Sequence, residues 1–194
     1  MAALPSLETQ AKVASDAAQN FVEHYYEALN RRHNLAQYYA SASSKLAAAD
    51  VKPDISINGN VCASVADFED LLNKQGSPVY CNLLSFSPFP PFRHEVISYD
   101  AQPVNPHFTL GAPASSASSE PDRNERKAIE AGERLSVALQ VAGTVRYGKA
   151  GDEGTVERTF TEAWLLVPHW EALARQAPRG LRRWVVASQN FRAF

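Results

Sequence analysis

Basic charge in excess, a long apolar run and a cysteine framework are all missing from this chain of 194 residues. A formal net charge of −2 excludes the broad positive footprint of a generic nucleic-acid-binding domain. No apolar run approaches the ~18 residues that a membrane-spanning helix needs. The start, Met1-Ala2-Ala3-Leu4-Pro5, lacks the basic-then-apolar layout of a secretory signal. Two cysteines, Cys62 and Cys81, are too few for a disulfide scaffold and have no metal-site spacing. They read as reduced thiols used as small core residues, which points to the cytosol or nucleus. Neither a metal nor a cofactor is expected.

What remains is a chain with 45% hydrophobic residues, enough for a real core in a single domain over 1–194. Val13, Ala17, Phe21, Tyr25 and Leu29 recur every four residues and predict a helix over about 8–32, with Glu8 in its first turn and Arg31, Arg32 and His33 in its last. A helical turn is expected over 35–39. Ile55 to Val61 reads as a hairpin, because Asn58-Gly59 suits a type I′ turn. Ser64 caps a second helix, with Asp67 three residues on, an apolar stripe of Val65, Phe68, Leu71 and Leu72, and Gly76 at its end. Strands are expected over 79–86, 95–101, 135–147, 156–167 and 184–191, with a turn at 148–154.

Two segments interrupt this order. Residues 105–132 are rich in Pro, Ala and Ser and then charged, which predicts a mobile insertion with a short helix near 126–133. Residues 169–182 form a second insertion, in which Trp170, Leu173 and Leu181 suit a small helical excursion. Helices in front and strands behind give an α+β domain. The helices would fill the concave side of a strongly bent antiparallel sheet of about five to six strands.

The last two strands have no soluble face. Side chains alternate across a sheet, yet Ala163, Leu165 and Val167 oppose Trp164 and Leu166, while Val185, Ala187 and Phe191 oppose Trp184 and Val186. An antiparallel sheet in a small monomer usually wets one face. A second cover is therefore expected, and the simplest source is another protein. The proposed outer face carries Gln140, Ala142, Thr144, Ala163, Leu165, Trp184, Val186, Ser188 and Asn190. No charged residue occurs among these nine, and charge depletion marks the centre of an interface.

Four strings resemble the nuclear transport factor 2 family. Phe21-Val22-Glu23-His24-Tyr25-Tyr26 is similar to its first-helix signature, and Ile57-Asn58-Gly59-Asn60 to its first hairpin. His94-Glu95-Val96-Ile97-Ser98-Tyr99-Asp100-Ala101-Gln102-Pro103 resembles its middle strand, and Trp184 to Arg192 its closing strand. The resemblance spans about 15–104 and 135–192. It implies a cone of helices in a bent sheet. The family holds carriers, adaptor domains and enzymes. The long loops resemble the small subunit of the fungal mRNA export receptor. That likeness implies a non-enzymatic adaptor, heterodimeric with the related domain of a larger export protein. The pair would shuttle between nucleus and cytoplasm through the pore. It would carry mRNA, with pre-ribosomal particles as a further cargo class, and Phe-Gly nucleoporins and RNA would be met mainly through the complex.

Rival readings stay open. The carrier of the GTPase Ran has an acid at the hairpin position occupied here by Asn58, which weakens that alternative. A dehydratase or isomerase of this fold needs an acid–base pair in the cone. His94 and Asp100 share a predicted strand face but stand about 20 Å apart, so no catalytic residue is assigned. His24 sits beside the aromatic stripe and is expected to pack or face solvent. Asp54 and Asp67 read as turn and helix-start residues. Phe21, Tyr25, Phe68, Trp164 and Phe191 face the cone, either as filled core or as a hydrophobic pocket for a partner's side chain. Arg179, Arg182 and Arg183 form the one basic cluster of note, either a solvated loop or a contact to RNA or ribosome.

Overall fold

The computed structural model describes residues 3–75, 92–113, 123–148, 154–174 and 176–194. The strand expected over 79–86, Gly76, Cys81 and most of the 148–154 turn lie outside these. Helix α1 (Leu7–Asn30) starts at Ser6, whose hydroxyl accepts the Thr9 N–H. Its stripe of Ala14, Ala17, Ala18, Phe21, Val22, Tyr25, Tyr26, Ala28 and Leu29 is buried. The helix stops two residues earlier than the periodicity predicts. Arg32 adopts φ 55°, and the Arg32 and His33 amides return to the Leu29 and Ala28 carbonyls. The basic residues thus form a left-handed cap and are not a last turn. Two short 3₁₀ turns follow, Ala36–Tyr38 and Ala40–Ala42, and then a helix the sequence did not suggest, α2 (Ser44–Ala48).

Strands β1 (Asp54–Ile57) and β2 (Asn60–Cys62) form the expected hairpin, with positive φ at Asn58 and Gly59. Helix α3 (Val65–Gln75) begins at Ser64, which exchanges hydrogen bonds with Asp67. The long strand β3 (Phe92–Asn105) precedes α4 (Arg123–Glu130). Strands β4 (Ser136–Tyr147), β5 (Val156–Pro168) and β6 (Trp184–Ala193) complete a six-stranded sheet in the order β2-β1-β6-β5-β4-β3. The sheet is mixed and not antiparallel throughout, because β1 lies parallel to β6. A parallel pair needs a long crossover, and here almost the whole domain intervenes between the two strands.

Curvature has local causes. At Gly143 in β4, an added Cβ would sit 2.1 Å from the Glu95 carbonyl oxygen and 2.8 Å from the Phe160 ring. Only glycine allows the sheet to close so tightly there. Extra residues bulge from β3 at Ile97 and from β6 at Ala187, where Leu165 pairs with Ser188 but Leu166 pairs with Val186.

The bulge at Ala187 corrects the face assignment of β6. Beyond it, Val186 and Trp184 turn to the concave side, where Val186 is fully buried in the main core and Trp184 packs on it. Val185 and Ala187 turn to the convex side. There a second core gathers Ala40, Leu46, Val167, Trp170 and Val185. Phe108 stacks on Trp170, whose indole N–H donates to the Leu110 carbonyl. The Glu171 carboxylate accepts from Ser43 Oγ, Ser44 Oγ and the Lys45 N–H, joining the turn after β5 to the start of α2. Burial pushes its pKa up, but these hydrogen bonds outweigh that and hold it at about 2.

The described ends of the two insertions are therefore packed, contrary to the composition-based expectation for 105–132. Ile129 of α4 is buried, and Arg134 pairs with Glu125 at 2.6 Å with both side chains nearly inaccessible. The 169–182 segment makes hydrogen-bonded turns after His169, with no helix among its described residues. Trp170 and Leu173 join the second core as covers, whereas Leu181 stays exposed.

Asn58 shows what the hairpin residue does here. Its N–H donates to the Phe191 carbonyl and its Oδ1 accepts the Ala193 N–H at 2.8 Å, tying the turn to the end of β6. Asn58→Ala loses this side-chain bond and strains a positive φ, and should cost roughly 1–2 kcal/mol. Thermal melts should show a fall of about 2–8 °C. An unchanged melting temperature would show that the tie carries no stability.

Candidate functional site

Half of the convex face has no cover from the described residues. Register places three rows across it. Ser98, Ala142, Thr161 and Arg192 form one; Asp100, Gln140, Ala163, Asn190 and Ser56 the next; Gln102, Ala138, Leu165, Ser188 and Asp54 the third. Gln140, Ala163 and Asn190 are exposed, while Ala142, Leu165 and Ser188 are half-buried. Thr144, also half-buried, continues this face along β4. The centre is small and neutral, and charge stands at the ends of the rows, in Asp54, Asp100 and Arg192. Seven of the nine residues proposed for an outer face are thus brought together; Trp184 and Val186 belong to the concave core. The convex cover is divided: among the described residues, the chain's own segments lie over the Val167–Val185 end and none over the Ala163 end.

The concave side carries the main core. Phe21 and Tyr25 stack at 5.0 Å, and Trp164 meets both edge-on at 5.1 and 4.7 Å. Phe68 and Phe191 lie in the same core. Of the five aromatics proposed for a pocket, these last two border a void of only about 10 Å³, shared with Leu29, Ile57, Leu72, His94, Glu162 and Gln189. That is room for about one water molecule, so the cone is filled at this end, while Phe21 also lines an open groove towards the other end of α1.

Sequence reasoning missed the polar group at its heart. Glu162 is almost wholly buried; it accepts from the Tyr26 hydroxyl and from Gln189 Nε2 at 2.7 Å. Gln189 in turn accepts from the Tyr39 hydroxyl at 2.6 Å, and the Tyr39 and Tyr25 hydroxyls lie 2.9 Å apart. The signal was present, since Phe160, Glu162, Trp164 and Leu166 share one strand face and one of them is an acid. Burial lifts the Glu162 pKa to about 7 against the smaller pull of its two donors. Burial also raises the three tyrosine hydroxyls well above their ordinary range, so they remain protonated donors.

His94 and Asp100 do not share a face. The bulge at Ile97 leaves His94 buried on the concave side and Asp100 exposed on the convex side. Burial, with Arg32 nearby, depresses the His94 pKa to about 3, so the ring is neutral. It rests among Tyr26, Phe160 and Phe191. His24 is half-exposed, its Nδ1 bonded to the Asn20 carbonyl. Among the described residues no His, Cys, Asp and Glu cluster has the geometry of a metal site, and no helix is long and apolar enough to cross a membrane.

The three arginines have different settings. Arg179 is exposed. The Arg182 guanidinium lies 4.7 Å over the Tyr38 ring and donates to its hydroxyl. Arg183 pairs with Glu133 at 3.0 Å and covers the Trp184 ring.

Because the Glu162 carboxyl titrates near 7 when folded and near 4.5 when unfolded, the folded chain holds an extra proton between those values. Its contribution is fully present below about 4.5 and is lost as pH rises through about 7, a span worth roughly 3 kcal/mol at most. Melting temperature should therefore fall between about pH 5 and about pH 8 more steeply than in Glu162→Gln, which keeps the shape without the titration. Equal slopes in the two proteins would show that Glu162 is not the titrating group.

No protein-family model and no curated protein matches the chain. Solved structures do. A chain of the Mex67:Mtr2 complex with bound Sac3N peptide aligns with TM-score 0.77 at 27% identity, covering 93% of this chain and 99% of the other. A chain of the complex between the Chaetomium thermophilum Mex67 NTF2-like domain and Mtr2 aligns at 0.74 and 26%, covering 93% and 98%. Mtr2 by itself aligns at 0.74 and 27%, covering 93% and 99%.

Proposed function

We propose that this chain, an Mtr2-like protein of the nuclear transport factor 2-like fold, is the small, non-enzymatic subunit of a heterodimeric mRNA export receptor. The open half of the convex face carries the reading. It presents small neutral side chains at its centre and charges at its ends, as the core and rim of an interface do. Mex67 pairs with Mtr2 through an NTF2-like domain in one of the structures this chain resembles, and a related domain of a larger receptor is the partner that fits here. The pair would shuttle between nucleus and cytoplasm through the pore with mRNA, and pre-ribosomal particles are a further cargo class. Phe-Gly nucleoporins and RNA would be met mainly through the complex. Arg179 is exposed and available for a secondary RNA contact, while Arg182 is engaged with Tyr38 and Arg183 with Glu133.

The buried Glu162, Tyr26 and neutral His94 resemble the ingredients of an acid–base enzyme, and the cone supports that alternative poorly. Catalysis needs a substrate within hydrogen-bond reach of the acid, and the void beside Glu162 holds about one water.

Ala163→Arg tests the adaptor reading. The residue is exposed at the centre of the open face, so the free chain should fold and melt as the wild type does. Co-purification of the larger Mex67-like partner should fall by about a hundredfold, because a cation buried without a counter-charge costs several kcal/mol. Val186→Glu should instead unfold the chain, since Val186 is in the main core. Full partner recovery with Ala163→Arg, or no related partner with the wild type, would refute the assignment.

A further inference from the structure

One open depression on the described surface is unconnected with the convex face. It runs between the first half of α1 and the 179–184 segment and has a volume of about 480 Å³, within the range of about 300–1,000 Å³ typical of ligand sites. Val13, Ala17 and Phe21 repeat every four residues along its helical wall, with Tyr38 at the base. The opposite wall presents Leu181, which is 39% exposed, and Trp184. An apolar leucine held out over a groove beside a basic loop is not explained by the fold, since it joins neither core.

We propose that this groove docks an acidic peptide segment of a partner protein that carries one aromatic or aliphatic anchor. The anchor would lie between Leu181, Trp184 and the Val13–Ala17 stripe. Its flanking carboxylates would meet Arg182 and Arg183, whose forked guanidinium groups have donors beyond those spent on Tyr38 and Glu133. On the opposite wall the acid Asp16 is already engaged by Lys12 at 2.6 Å, and the exposed amide of Asn20 offers both a donor and an acceptor to a peptide backbone.

Single-stranded RNA fits less well. Bases bind by stacking on open aromatic faces, and here guanidinium groups lie over Tyr38 and Trp184, at 4.7 and 5.5 Å. The groove lies along α1, on the concave side, so both surfaces can be occupied at once. It is also remote from the void beside Phe68 and Phe191, which lies at the other end of α1 near Leu29.

The probe is a fluorescein-labelled peptide of about twelve residues, made of Asp, Glu, Gly and Ser around one Phe. Two controls accompany it, a version with Lys in place of the acids and a labelled oligouridine of similar length. Anisotropy is read on the full chain, alone and with its larger partner. The acidic peptide should bind with a dissociation constant on the order of 10–100 µM, and both controls at least about tenfold more weakly. Leu181→Glu should weaken the acidic peptide by about tenfold or more. Asp16→Lys should tighten it severalfold, with partner co-purification and melting unchanged in both variants. The proposal is overturned if the acidic peptide fails to bind at about 1 mM, if Leu181→Glu leaves its affinity unaltered, or if oligouridine binds more tightly and displaces it. None of these outcomes depends on whether the convex face pairs as proposed.

Discussion

One extra residue in β6, Ala187, determines which part of the sheet is available to a partner. Before it, Trp184 and Val186 feed the main core under α1; after it, Gln189 and Phe191 do so. The bulge lets both halves of the strand send large side chains inward while Val185 and Ala187 turn outward against Trp170 and Leu46. Those outward residues need an apolar cover, and the short helix α2, the turn after β5 and the 107–112 segment supply it. Ser188 and Asn190 need none. The division of the convex face into a self-covered half and an open half follows from that change of face.

The inserted segments consequently act as clamps. Glu171 ties the turn after β5 to α2, Arg134 ties α4 to His107 and stands over Trp170, and Arg183 ties the start of β6 to Glu133. The first two brace the second core at Leu46 and Trp170, and the third covers Trp184 at the edge of the main core. The main core meets a different constraint. Glu162 is buried beneath the open face and would be costly as an isolated anion. Tyr26 and Gln189 satisfy its oxygens, and a raised pKa lets it take up a proton. A polar chain through Gln189 to Tyr39 and Tyr25 then joins β5 and β6 to α1 and to the 3₁₀ segment, fixing how the helix sits in the cone.

Much of this was legible from periodicity. The four-residue repeat marks α1, Asn58-Gly59 marks the hairpin, and the apolar alternation marks β4 and β5 close to their observed bounds. Bulges were not legible, because an extra residue in a strand has no compositional signature. Strict alternation therefore assigned Val186 and Trp184 to the wrong face and put His94 and Asp100, about 20 Å apart, on the same one. The packing of Ile129 and Phe108 was hidden in segments whose average composition is polar. Glu162 was legible and overlooked, since a lone acid in an inward-facing row of a strand must find partners or a proton.

The account rests on the claim that the half of the convex face around Ala163 meets a related domain of a larger protein. A photo-reactive phenylalanine analogue at Gln140, in the middle row of that face, tests this in the native cell. It should crosslink to one larger protein bearing a nuclear transport factor 2-like domain, and the same probe at Val61, exposed on the edge strand β2, should not. Crosslinking of the Gln140 probe to a second copy of this chain, or to no protein at all, would contradict the account.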